Sequence, residues 1–200
     1  ALMLACQSFG QGPDLVLLHG WGMNGAVWSE LAEAIGGDFR LHLVELPGHG
    51  DSPLQTGPEL ADWARACLEA APPRAVWMGW SLGGLLALEA ALLAPGRVSR
   101  LVVVAGTPRF VQGSDWAPAM ARATLEEFGA ALVRDPETTL DRFLGLQVRG
   151  SSDARGTLRR LRADFRERPP PRPEALQQGL ALLLHADLRS RLSELQAPSL

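Results

Sequence analysis

Lysine is absent from this chain, and all 19 of its basic residues are arginines. With alanine, glycine, proline and leucine abundant, this reads as a compositional bias that carries no mechanism. Cysteine is scarce too: Cys6 and Cys67 lie far apart without metal-ligand spacing. That excludes a disulfide framework and a cysteine-rich metal site, and both are expected as reduced thiols in a cytoplasmic protein. No apolar run approaches the roughly 20 residues that span a bilayer. The opening ALMLAC lacks the basic flank and full apolar core of a signal peptide, so neither membrane insertion nor secretion is expected. A strong excess of charge of one sign is also missing. A net charge of −3 and a pI near 5.8 give no overall attraction to nucleic acid or anionic membrane.

What is present suits one compact body. With 200 residues, 46% of them hydrophobic, the chain can bury one substantial core, and a monomer is expected. The run Asp14 to His19 is short, apolar and followed by Gly20-Trp21-Gly22, as a buried parallel strand ends in a functional loop. A helix is expected over Val27–Ile35, a strand over Arg40–Leu46 ended by Pro47-Gly48-His49-Gly50, and a helix over Glu59–Ala71 stopped by Pro72-Pro73. Strand Ala75–Gly79, helix Leu82–Leu93 and strand Val98–Ala105 follow. Strand alternating with helix at this rhythm predicts an α/β fold with a mostly parallel sheet flanked by helices.

After Thr107 the rhythm changes. From Trp116 to about Asp187 the pattern is helical, broken once by Pro169–Pro173, and is best read as an inserted lid over the sheet's C-terminal edge, where ligands of such folds bind. The expected layout is a core over 1–110, a helical lid over 111–188 and a return to the core over 189–200. The sheet resumes at Ala197. Because the chain opens on Ala1 without methionine and closes on Pro198-Ser199-Leu200, which reads as a strand's first residues, both ends are expected to be cut.

The strongest chemical signal is Gly79-Trp80-Ser81-Leu82-Gly83, a G-x-S-x-G motif between an expected strand and an expected helix. A serine hydroxyl is a weak nucleophile unless a strained, exposed turn presents it to a base, and flanking glycines make room for that turn. The backbone N–H of Leu82 can stabilise the oxyanion formed when Ser81 attacks a carbonyl. The loop His19-Gly20-Trp21-Gly22 is placed to donate the second oxyanion N–H, and Trp21 is the candidate donor. His19 precedes the serine, contrary to the Ser, Asp or Glu, His order of this fold, so its expected role is to order the loop by hydrogen bonding. His42 and His49 are expected to be structural or surface residues. His185 follows the serine but lies on a helix with Asp187 on another face, and it is set aside as a base. Gly20-Trp21-Gly22 lacks the third glycine of a nucleotide fingerprint, and no His, Cys or acidic pair has ligand spacing. Neither a metal nor a cofactor is expected.

The lid carries a charge asymmetry. Arg155, Arg159, Arg162 and Arg166 recur at spacings that set four cations on one helix face, with Arg142 and Arg149 just before. Such a face is either simply solvated or a docking patch for an acidic partner.

LVLLHGWGMN, LHLVELPGHGDS, VWMGWSLGG, RFLGLQ and ADLRSRL together resemble the carboxylesterases of biotin synthesis, α/β-hydrolases that cleave the methyl ester of pimeloyl-acyl carrier protein. The resemblance runs from about Leu15 to Leu200. It implies Ser81 as nucleophile and the N–H groups of Trp21 and Leu82 as oxyanion hole. It also implies substrate contacts from Phe143, Leu144, Gly145, Leu146 and Gln147, and docking of the carrier protein by Arg142, Arg155 and Arg159. The family's catalytic Asp and His fall beyond Leu200, so the C-terminal strands and both residues are expected to be missing here and the chain inactive by itself.

Three other readings stay open: another small-ester or C–C bond hydrolase of the same fold, an acyltransferase, or a non-catalytic binding module. An apolar pocket lined by Trp21, Trp80 and Phe143 is expected to admit small esters.

Overall fold

A computed structural model describes residues 3–54 and 57–200. Its strands are β1 (Cys6–Gly10), β2 (Asp14–Leu18), β3 (Arg40–Val44), β4 (Ala75–Trp80) and β5 (Val98–Val104). The helices are α1 (Ser29–Ile35), α2 (Leu60–Ala70), α3 (Leu82–Leu93), α4 (Arg122–Arg134), α5 (Pro136–Gln147), α6 (Ala154–Arg166) and α7 (Pro173–His185), with short 3-10 turns at Gly25–Trp28 and Arg189–Glu194.

The sheet order is β1-β3-β2-β4-β5, parallel except for β1, which pairs antiparallel with β3. β1 precedes the run that begins at Asp14 and is an edge strand that the sequence pattern does not signal. Pro198 to Leu200 add beside β5, where the Leu101 N–H donates to the Pro198 carbonyl at 2.9 Å and the Leu200 N–H to the Leu101 carbonyl at 3.0 Å. The sheet resumes there as expected.

Helices cover both faces because side chains alternate along each strand. On β4, Trp77 is wholly buried in the cluster formed with α2 and α3, whereas Val76, Met78 and Trp80 pack with Trp28 and Ala32 on the α1 side. Every residue of α3 from Leu82 to Ala91 is buried, and all are apolar or glycine except Glu89. A helix apolar all round belongs inside a core. Glu89 is buried and accepts both of its hydrogen bonds, 2.8 and 3.1 Å, from Arg191, which anchors the returning chain. Cys6 and Cys67 are free thiols, and burial pushes the Cys67 thiol up to about 12.

Helices α4 to α7 pack over the loops that leave the C-terminal ends of β2 and β3. Arg172 donates its amide to the Gly48 carbonyl at 2.9 Å. Arg168 reaches Glu45 at 3.2 Å and Asn24 at 3.2 Å. Within this layer, Arg162 of α6 makes a two-pronged bond to Asp141 of α5 at 2.7 and 2.6 Å. Among the described residues no helix is long and apolar enough to cross a membrane.

Candidate active site

Ser81 sits at the turn from β4 into α3 with φ 55° and ψ −116°, a conformation that costs a non-glycine residue about 1–3 kcal/mol. Two contacts hold it there. The Ser81 N–H donates to the Val104 carbonyl at 2.9 Å, and the Leu85 N–H donates to the Ser81 carbonyl at 3.1 Å. The flanking glycines have a steric reason: a Cβ on Gly79 would overlap the Gly83 carbonyl, and one on Gly83 would overlap the carbonyls of Leu18 and His19. Strand and helix can therefore meet this tightly only without side chains at 79 and 83. The Ser81 hydroxyl makes no cap bond to α3 and remains free to react.

The loop after β2 lies alongside. A Cβ on Gly20 would stand 3.6 Å from the Ser81 Cβ. No hydrogen bond among the described residues engages the Trp21 amide, and Leu82 is the first residue of its helix, whose N–H has no intrahelical acceptor. These are two unspent donors beside a strained serine.

Buried histidines build that loop. His19 is fully buried; its Nδ1 lies 2.8 Å from the Gly20 carbonyl, and its Nε2 accepts the Leu46 N–H at 3.0 Å. It orders the loop, as expected. His49, also fully buried, accepts the Gly22 N–H on Nε2 at 3.1 Å and donates from Nδ1 to the Pro47 carbonyl at 2.9 Å. Burial, then the neighbouring His19, hold the His49 imidazole down to about 3, so it stays a neutral acceptor. Glu45 ties the pieces together. It accepts the Gly25 N–H, faces His19 at 3.2 Å and pairs with Arg168. Burial pushes its carboxyl up, but His19, the Gly25 amide and Arg168 outweigh that and hold it below its ordinary value. Sequence pattern does not reveal His49, Glu45 or Arg168 as loop builders.

The other histidines stand apart from this chemistry. His42 is held by Ser8 at 2.8 Å and Asp14 at 2.6 Å on the sheet. His185 is exposed at the end of α7, and Asp187 is occupied by Arg189, which holds its carboxyl down to about 2. Among the described residues no group of three His, Cys, Asp or Glu could hold a metal ion.

The candidate substrate residues separate. Phe143 packs edge-on to Trp21 with ring centroids 5.3 Å apart, whereas Trp80 and Gln147 line a cavity of about 720 Å³ with Val27, Thr157 and Arg160. The single pocket of Trp21, Trp80 and Phe143 is thus corrected, because Trp21 lies in the α2–α3 cluster and Trp80 on the α1 side of β4. Leu144 is buried, Leu146 is exposed, and Gly145 has open space beside it. Arg142, Arg155, Arg159 and Arg166 are exposed. Arg162, expected in the same stripe, is taken up by Asp141.

The model of the alpha/beta hydrolase fold matches residues 13–200. The chain belongs to the α/β-hydrolase family. This α/β-hydrolase is 48% identical over 194 residues to the pimeloyl-[acyl-carrier protein] methyl ester esterase of Vibrio parahaemolyticus, covering 97% of the chain and 76% of that relative. It is 51% identical over 191 residues to the protein of the same name from Xanthomonas oryzae pv. oryzae, covering 96% and 75%. Among solved structures, it superposes on a hydrolase from Pseudomonas aeruginosa with a TM-score of 0.78 at 27% identity, covering 98% of this chain and 74% of that one. An esterase from Exiguobacterium antarcticum gives 0.84 at 18% identity, covering 98% and 75%, and shares the fold.

Proposed function

We propose that this hydrolase is a serine carboxylesterase that hydrolyses the methyl ester of pimeloyl-acyl carrier protein to the free acid, a step of biotin synthesis. The observation that carries the reading is Ser81, strained and uncapped beside the unspent amides of Trp21 and Leu82, in a chain about half identical to esterases of that name. Ser81 Oγ attacks the ester carbonyl and passes its proton to a histidine base. The oxyanion takes the two amides, and methanol leaves with the proton. Water then attacks the acyl-enzyme, the carboxylate is freed and Ser81 regains its proton.

The about 720 Å³ cavity beside Trp80 holds part of the substrate chain, with Gln147 in its wall; Phe143, Leu144, Gly145 and Leu146 belong to the same substrate-binding segment. The exposed Arg142, Arg155 and Arg159 dock the acidic carrier. The protein acts in the cytoplasm as a monomer.

Labelling the full-length gene product with a fluorophosphonate tests this. Label is expected at Ser81, absent from Ser81→Ala, and slowed by pimeloyl-carrier methyl ester in competition. Absence of labelling at Ser81 contradicts the assignment.

A further inference from the structure

The residues proposed to supply the oxyanion amides, Trp21 and Leu82, are also residues against which the lid packs. Trp21 is 2% exposed although it sits in a loop, because its indole is enclosed by the lid. Its Nε1 donates to the Leu176 carbonyl of α7 at 2.8 Å. Its ring meets Phe128 of α4 and Phe143 of α5 edge-on, with centroids 5.2 and 5.3 Å away. Gly179, one turn along α7 from Leu176, closes the contact: a Cβ there would stand 2.8 Å from Trp21 Cδ1 and 3.4 Å from Leu82 Cδ2. One lid position thus touches both residues of the oxyanion pair, and it does so through a face that admits no side chain.

We propose that Gly179 is a positioning residue for catalysis: through Trp21 and Leu82 it lets the lid fix the oxyanion donors, so that turnover depends on how the lid is seated. This rests on the assignment of those two amides to the oxyanion. Rigid packed contacts transmit small displacements. An indole gripped on several sides cannot shift without turning the loop that carries its own amide. The adjacency of Arg142 and Phe143 on α5 places the carrier-facing surface one residue from the same indole.

The test is Gly179→Ala in the full-length gene product, with p-nitrophenyl butyrate as the probe. Because alanine favours a helix over glycine, a loss of turnover with Tm maintained reports geometry and not unfolding. A misplacement of ~1 Å can cost about 10²-fold, so kcat is expected to fall roughly tenfold or more with KM within about threefold. In a Trp21→Ala background, where the Cδ1 that the new methyl would meet is gone, the same alanine is expected to cost no more than about threefold. Unchanged kcat in Gly179→Ala, or an equal loss in both backgrounds, overturns the inference. Should Gly179→Ala not fold, Phe128→Leu carries the test: kcat falls with KM held, and unchanged kcat overturns it. A wild-type protein that hydrolyses no ester overturns the esterase reading and this inference with it, whereas an active wild type with a normal Gly179→Ala overturns this inference alone.

Discussion

The His49 imidazole accepts the Gly22 amide at 3.1 Å, joining the turn after β3 to the loop beside Ser81. Burial, then His19, lower its ionisation to about 3, with Glu45 pulling the other way. An unfolded histidine takes its proton near 6.5, so from there down to about 3 the unfolded state binds a proton that the folded state refuses. Folding stability therefore falls with pH across that window, by up to ~1.4 kcal/mol per pH unit from this residue. Urea unfolding of wild type and His49→Gln at about pH 7 and about pH 5 measures it. The variant is expected to lose less stability between the two, and equal losses would contradict the assignment.

Strain at Ser81 sets stability against activity. Its φ of 55° suits glycine, so Ser81→Gly should be more stable than Ser81→Ala by about 1 kcal/mol after the greater freedom of unfolded glycine is subtracted. Both should be inactive. Equal denaturation midpoints would show that the turn stores no strain.

Glu45 and Arg168 fasten the lid to the core at 3.2 Å, with the Glu45 side chain only 8% exposed. Glu45→Leu takes the carboxylate from Arg168, which keeps Asn24, and leaves the Gly25 amide without its acceptor, and should cost about 3 kcal/mol. Arg168→Leu removes the arginine instead and leaves the carboxylate only the Gly25 amide and His19. A double-mutant cycle checks the coupling, and strict additivity would sever the link.

Arg142, Arg155 and Arg159 are exposed on α5 and α6. Reversing all three to glutamate should raise KM for the carrier-bound ester by about tenfold or more at low salt and leave p-nitrophenyl butyrate unaffected. Parallel loss on both substrates would remove the docking role.

Much of this was legible in the sequence for a physical reason. Strands β2 to β5 are short apolar runs, most of them followed by glycine or proline, and α3 has the expected bounds, Leu82 to Leu93. Strand β1 carries no such signal, because Cys6–Gly10 is exposed along its whole length at the sheet edge. Helical spacing sets Arg162 in the basic stripe, but spacing names a face and not the neighbour, and Asp141 on α5 takes it. Ser81 and the Trp21 loop announce themselves because their chemistry is local. His49, Glu45 and Arg168 do not, since their partners lie far off in sequence, 144 residues away in the case of Arg168 and Asn24. The fit of Gly179 under Trp21 is likewise a matter of packing that no periodicity encodes.

The most direct measurement is the conversion of pimeloyl-carrier methyl ester to the free acid by the full-length gene product, followed by mass spectrometry of the intact carrier. Demethylation by wild type, lost in Ser81→Ala, is the predicted result. An unchanged carrier with wild type, or equal demethylation by Ser81→Ala, would contradict the account.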